Sequence, residues 1–206
     1  MMWVGVLPAG GVRAVRGVQM NSLFEAFKAR AEAVSAEVHR FTGKAGALAF
    51  VHDVMKGAGV SAAPESGAVW AAGPFLDEAG RADFRAKVPG TAFEVTRENS
   101  AAAKVGVSEM DWAIAGTGTL VQDATDVEKR LVSTLPPIHV ALIGTDRILE
   151  DMDGVLERLR PEQINYIAFI TGPSRTADIE RVLTIGVHGP ERLIVVVIDE
   201  FEQEIA

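Results

Sequence analysis

The chain has 206 residues, of which 48% are hydrophobic, and its formal net charge is −8. This length is sufficient for one hydrophobic core, so one domain is the expected number. The negative charge argues against a nucleic-acid groove or an anionic membrane surface as the main partner. Cysteine is absent, which excludes disulfides, thiolate catalysis and cysteine-bound iron–sulfur clusters in this chain and suits the reducing cytoplasm.

The first nineteen residues contain glycines, a proline and two arginines, without the apolar segment of a signal peptide or a membrane span. We predict that residues 1–19 form an extension outside the fold, with Met20 as a natural start. Residues 20–206 are then expected to form a single domain.

The first predicted element is an amphipathic helix. Its apolar residues recur at steps of four, seven, four and three, as expected for one face of a helix of about five turns. These residues are Leu23, Phe27, Val34, Val38 and Phe41. The sequence Thr42-Gly43-Lys44 is predicted to end this helix.

Beyond this helix, short apolar segments alternate with helical ones. Strands are predicted at residues 69–72, 92–95, 112–115, 120–121, 138–143, 166–170 and 193–198. Helices are predicted at residues 48–56, 75–88, 100–105, 148–159 and 176–183, and the polar segment 123–133 is interpreted as a solvated connection or a flap. Aliphatic strands interleaved with amphipathic helices indicate a three-layer α/β fold, whose mainly parallel sheet carries helices on both faces.

Three turns that contain glycine and hydroxyl side chains follow predicted strands. In parallel sheets, ligands bind outside the carboxyl ends of the strands, and the N–H groups that begin a helix attract anions. Arg175 adds a guanidinium that can hold a carboxylate or a phosphate. The candidate ligand-binding residues are Thr117, Gly118, Thr119, Gly144, Thr145, Gly172, Ser174, Arg175 and Thr176.

Each of these turns also has a purely structural explanation. Ser174 or Thr176 can cap a following helix, and residues 116–119 can form a plain tight turn. His188 lies in a turn before the last strand and is a weak candidate for a general acid or base, with a structural role as the alternative. The histidines and carboxylates show no metal-ligand spacing, so we predict no metal site.

Four segments form a set of motifs in fixed order: AGTGTL at 115–120, LPPIHV at 135–140, ITGPSRTADIE at 170–180 and GVHGP at 186–190. Together they resemble the LUD domain family, and the resemblance covers residues 23–199. It implies a fold similar to that of sugar-phosphate isomerases, CoA transferases and 5-formyltetrahydrofolate cyclo-ligase. One position departs from the family pattern, because Gly116 stands where the family usually has Glu.

The resemblance also implies a function, which is participation in bacterial L-lactate oxidation to pyruvate in the cytoplasm. Partner proteins would hold the iron–sulfur clusters, and this chain would bind no cofactor itself but a small anionic metabolite. Two alternatives stay open. In the first, the chain is a stand-alone enzyme or sensor for a phosphorylated or carboxylated metabolite. In the second, it is a binding module in which the Gly/Thr turns are structural.

Overall fold

The computed structural model describes residues 9–177, 183–185 and 189–201. In these ranges the helices are α1 (Ala9–Ala33), α2 (Lys44–Gly57), α3 (Glu78–Lys87), α4 (Arg97–Ala102), α5 (Val127–Thr134) and α6 (Met152–Leu159). The first six strands are β1 (Glu37–Gly43), β2 (Ala68–Trp70), β3 (Thr91–Ala92), β4 (Val105–Glu109), β5 (Trp112–Ile114) and β6 (Thr119–Asp123). The others are β7 (Ile138–Gly144), β8 (Ile148–Leu149), β9 (Ile167–Ile170), β10 (Arg175–Ala177), β11 (Leu183–Ile185) and β12 (Arg192–Glu200).

The central sheet consists of parallel strands in the order β1-β12-β7-β4-β2-β3. Both faces of its middle strands are buried, because successive side chains enter different hydrophobic clusters. In β7, Val140 and Leu142 belong to one cluster, whereas Ala141 and Ile143 belong to the other. This two-sided burial explains why the strand sequences are continuously aliphatic. The predicted three-layer, mainly parallel α/β fold is confirmed.

Helices cover both faces of this sheet. Met55 of α2 and Phe84 of α3 pack with Trp70 in the cluster on one face. On the other face, α1 contributes the fully buried Phe27, and α5 approaches β4 closely at Gly106. A side chain at Gly106 would collide with the carbonyl of a residue in α5, so glycine is required for this contact.

A second sheet, which the sequence analysis did not predict, has the strand order β8-β5-β6-β9. β6 pairs antiparallel with β5 and β9, whereas β8 pairs parallel with β5. Ala113 and Leu120 of this sheet share a hydrophobic cluster with Phe27 of α1. The second sheet is therefore attached to the domain through α1.

The predicted helix from Leu23 to Phe41 is wrong in its second half. α1 ends at Ala33, and Ser35 has a φ of 70°, which reverses the chain before β1. Val38 and Phe41 then lie in β1, which forms the edge of the central sheet beside β12. The prediction failed because an edge strand with polar residues between its apolar ones imitates helical spacing.

Two further helix predictions need correction. The segment from Arg175 is a strand, because β10 pairs antiparallel with β11, whereas a helix was predicted at residues 176–183. The predicted helix 148–159 begins later, at Met152, since residues 148–149 form β8. The polar segment predicted as a connection contains α5.

α1 crosses the predicted boundary between the N-terminal extension and the domain. α1 begins at Ala9 and continues through Met20 without interruption. The division into an extension at 1–19 and a domain at 20–206 stays a prediction.

Two glycines allow the second sheet to approach the C-terminal turn of α1. Gly118 and Gly172 have φ values of +67° and +72°, a conformation that other residues rarely adopt. A Cβ atom at Gly118 would collide with the backbone of Ala31, and one at Gly172 would collide with the carbonyl of Val34. Both turns are therefore in direct contact with α1 or the residue that follows it.

We expect Gly118→Ala to destabilise the protein, because it imposes an unfavourable φ and a backbone collision. The expected loss in the free energy of unfolding is roughly 2 kcal/mol or more. Gly57→Ala is the matched control, since Gly57 lies in α2 and a Cβ atom there would meet nothing within 4 Å. The control should be neutral or more stable by up to about 1 kcal/mol. Urea unfolding of both variants tests this contact, and equal midpoints would contradict it.

Candidate functional site

A cavity of about 450 Å³ lies at the carboxyl ends of the central strands. Its walls come from the segment after β2, the end of β4, the second sheet, and the helices α5 and α6. The polar residues that line it are Glu109, Asp111, Asp123, Asp126, Lys129, Arg147, Arg158 and Gln163. Residues 72–74 and Trp112 complete much of the wall. We call this the strand-end cavity.

Glu109, the last residue of β4, is the most strongly perturbed carboxyl group of the cavity. Its side chain is buried, with only 8% of the residue exposed, and the N–H of Phe75 donates a hydrogen bond of 2.8 Å to Oε1. Burial raises the pKa of Glu109 to about 7, although this hydrogen bond and the nearby Lys129 lower it. Glu109 therefore exchanges its proton near neutral pH, as a general acid or base requires.

The segment that follows β4 is fastened to the second sheet by hydrogen bonds. Gln122 Nε2 of β6 donates to the carbonyl of Glu109 at 2.6 Å, and the N–H of Asp123 donates to Asp111 Oδ2 at 2.6 Å. The pKa of Asp111 is also raised, chiefly by burial. The second sheet thus fixes two carboxyl groups at one wall of the cavity.

Three cationic side chains lie among the four carboxyl groups that line the cavity. Lys129 Nζ donates to the carbonyl of Asp123 at 2.9 Å, and its charge lowers the pKa of both Glu109 and Asp111. The guanidinium carbon of Arg147, a buried residue, lies 5.0 Å from the ring centroid of Trp112. The guanidinium carbon of Arg158 lies 5.7 Å from the same centroid. A cavity with these cations and a protonatable carboxyl group is suited to bind a small organic acid.

The sequence analysis missed this site because it missed β4. Gly106 and Ser108 interrupt the apolar residues of that strand. Gly106 is needed for the close contact with α5, and Ser108 forms a hydrogen bond with the buried His139. The alternation of Val105 and Val107, with Glu109 two residues further on, was the available signal.

The three predicted turns contain residues 117–119, 144–145 and 172–176, in that order. The structure brings the first and the third of them together. Thr117 Oγ1 donates to Thr119 Oγ1 at 2.8 Å, and Thr119 Oγ1 lies 2.8 Å from Thr171 Oγ1. Neither turn begins a helix, however, because the first joins β5 to β6 and the third leads into β10. A helix was predicted only after the third turn, at residues 176–183, and that predicted helix N-terminus is wrong.

Arg175 and Ser174 make contacts that tie the third turn to other parts of the chain. Arg175 is exposed, and its Nη2 donates to Ser35 Oγ at 2.9 Å. The N–H of Ser174 donates to the carbonyl of Pro190 at 2.9 Å. Thr176 lies in β10, but its side chain and all of His188 lie outside the described residues.

The second turn belongs to a different group of side chains. Gly144 ends β7, and Thr145 begins a single 3₁₀ turn rather than the predicted long helix. Thr145 Oγ1 donates to Asp199 Oδ1 at 2.6 Å, and Arg40 Nε donates to the same oxygen at 2.8 Å. Anion binding at the predicted turns stays a prediction.

Within residues 9–177, 183–185 and 189–201, no group of three or more His, Asp or Glu side chains is arranged so that it could hold a metal ion. In the same part of the chain, no helix has both the length and the apolar character needed to cross a bilayer.

A parallel sheet between helical layers, with a polar cavity at its strand ends, defines a three-layer α/β domain, and in such sheets the strand ends are where ligands bind. The chain belongs to the LUD domain family, whose sequence model matches residues 24–198. The family resemblance of the motifs is thereby confirmed.

Individual relatives extend this result. The chain is 34% identical over 113 residues to "Lactate utilization protein C" of an Exiguobacterium species, which covers 52% of this chain and 49% of that protein. It is 37% identical over 99 residues to the protein of the same name from Anoxybacillus flavithermus, covering 48% and 45%. The chain thus aligns with about half the length of these curated relatives.

A solved structure supports the fold. The crystal structure of a DUF162 family protein from Deinococcus radiodurans superposes with a TM-score of 0.61 and 17% sequence identity. The superposition covers 87% of this chain and 98% of that one. At this identity, the similarity establishes the shared fold.

Glu109→Gln should change how stability depends on pH. The ordinary pKa of Glu, 4.5, applies to the unfolded chain, whereas the folded value is about 7. Between these values the folded state binds more protons, so the free energy of unfolding decreases as pH rises. The contribution of Glu109 is fully present below pH 4.5 and is lost above pH 7, and its size is on the order of 3 kcal/mol.

Urea unfolding of parent and variant at pH 5 and pH 8 measures this contribution, because other titrating groups largely cancel in the comparison. The parent should lose stability relative to the Gln variant between the two pH values. Identical changes in both proteins would show that Glu109 titrates in its ordinary range.

Proposed function

We propose that this chain binds a short 2-hydroxy acid or 2-oxo acid in the strand-end cavity, as part of a bacterial lactate-utilisation system. The observation that carries this proposal is the buried, protonatable Glu109 in a cavity that the cationic side chains of Lys129 and Arg147 also line. The names of the similar proteins from Exiguobacterium and Anoxybacillus refer to lactate utilisation and support lactate as the 2-hydroxy acid, with pyruvate as its oxidation product.

The cavity residues have distinct roles in this proposal. Lys129 and Arg147 provide the positive potential that attracts the substrate carboxylate. Glu109 forms a hydrogen bond to the substrate hydroxyl or carbonyl oxygen, and its ionised form accepts the hydroxyl proton. Because its pKa is about 7, both protonation states are populated near neutral pH.

Oxidation of lactate to pyruvate releases two protons and two electrons: Glu109 accepts the hydroxyl proton, the proton from carbon is released to solvent, and the two electrons pass to an acceptor. We assign the electrons to partner proteins that hold iron–sulfur clusters, because this chain has no cysteine to hold one. The contribution of this chain is then substrate binding and proton transfer in the cytoplasm.

The alternative ligand site is the group of Gly/Thr turns with Arg175, in a stand-alone enzyme or sensor for a phosphorylated or carboxylated metabolite. Arg175 is exposed and directs one donor to Ser35, so it supplies a positive charge at that surface. The hydroxyl groups of Thr117, Thr119 and Thr171 are bonded to one another, and this favours a structural role for those turns.

Titration calorimetry with lactate and pyruvate distinguishes the two sites. Lys129→Gln removes the charge but keeps a hydrogen-bond donor, and it should weaken binding by about tenfold. Arg175→Gln is the matched control and should bind like the parent. The reverse pattern would place the ligand at the Gly/Thr turns.

In the parent, affinity should also fall as pH rises through 7, because ionised Glu109 repels the carboxylate, whereas Glu109→Gln should show no such change.

The assembly is tested separately in a bacterium that grows on lactate. A tagged copy of the full chain should co-purify with proteins that contain iron–sulfur clusters, which are identified by mass spectrometry and visible absorption. A strain that lacks this protein should oxidise lactate poorly. Unimpaired growth on lactate in that strain would contradict the proposed system while leaving the binding measurement intact.

A further inference from the structure

A second cavity, of about 430 Å³, lies between α2 and α3 on the face of the central sheet opposite α1. We call it the α2–α3 groove. Its volume falls in the range of roughly 300–1,000 Å³ that is typical of small-molecule sites. It shares no lining residue with the strand-end cavity.

The floor of the groove is apolar. Leu76 and Phe84 are 3% and 4% exposed, respectively, and the partly buried Leu48 packs against the same hydrophobic cluster. Two alanines one helical turn apart, Ala45 and Ala49, line the side formed by α2 and are exposed. Their short side chains leave the space between the helices open.

The rim of the groove carries an excess of positive charge. Lys44 lies at one side, with Nζ 5.2 Å from the ring centroid of Phe75. Lys87 lies on the α3 side and pairs with Asp83 at 2.8 Å. Because Asp83 is paired with Lys87, the charge of Lys44 is the excess positive charge among the residues that line the groove. The excess is local, because the chain as a whole has a net charge of −8.

We propose that the α2–α3 groove binds an amphipathic carboxylate, with its hydrocarbon tail against Leu48, Leu76 and Phe84 and its carboxylate beside Lys44. Burial of the tail supplies most of the affinity, since apolar area removed from water is the main favourable contribution. Charge complementarity at Lys44 selects an anionic head group over a cationic one. This proposal does not depend on lactate binding at the strand-end cavity.

Octanoate and octylammonium are suitable probes, because they share the alkyl chain and differ in the sign of the head group. Titration of the full chain should show saturable octanoate binding at one site and weaker octylammonium binding. Ala49→Phe fills the groove and should weaken octanoate binding by about tenfold or more. Lys44→Gln should reduce the preference for octanoate over octylammonium.

Matched controls lie outside the groove. Ala101→Phe places the same ring on an exposed alanine of α4, and Lys56→Gln removes a charge from the last turn of α2. Both should bind octanoate like the parent. Circular dichroism checks folding, and Ala45→Leu replaces Ala49→Phe if the latter does not fold.

Three results would overturn the proposal. They are equal octanoate affinity in Ala49→Phe and Ala101→Phe, equal affinity of the parent for octanoate and octylammonium, and absence of saturable binding below the micelle-forming concentration. The last result would leave the groove available for a helix of a partner protein.

Discussion

The burial of the Glu109 carboxyl group is the constraint on which the candidate site depends. A carboxylate removed from water is unfavourable unless it is paired or protonated, so burial favours the neutral acid. The hydrogen bond from the Phe75 N–H keeps Oε1 in place, and Gly73 leaves room because a side chain there would collide with the carboxyl group. The segment after β2 is thereby held against the end of β4, and together they form one wall of the cavity.

The second sheet supplies a further part of the wall, and its contacts with α1 help to fix its position. Gly118 and Gly172 let two of its turns touch the backbone at the end of α1. From there the sheet brings Trp112 and Asp123 to the carboxyl edge of the central strands. The same glycines that suggested a ligand site from the sequence therefore have a packing explanation, and the polar chemistry lies in a cavity that the second sheet helps to enclose.

Long aliphatic strands were predictable from the sequence, whereas the polar edge of the structure was not. β7 and β12 were found because both of their faces are buried, which produces an uninterrupted apolar segment. β1 was mistaken for a helix since edge strands tolerate polar residues, and β4 was missed because Gly106 and Ser108 interrupt it. Glu109 could not be singled out without β4, because its perturbed pKa arises from residues far away in sequence, such as Phe75 and Lys129.

The central claim is that Glu109 holds a proton near neutral pH within a ligand-binding cavity. The direct test is a ¹³C NMR titration of the Glu109 side-chain carboxyl carbon, assigned with the Glu109→Gln variant, in the absence and presence of lactate. We expect a midpoint near pH 7 that moves when lactate binds. A midpoint near the ordinary value of 4.5, unchanged by saturating lactate, would contradict it.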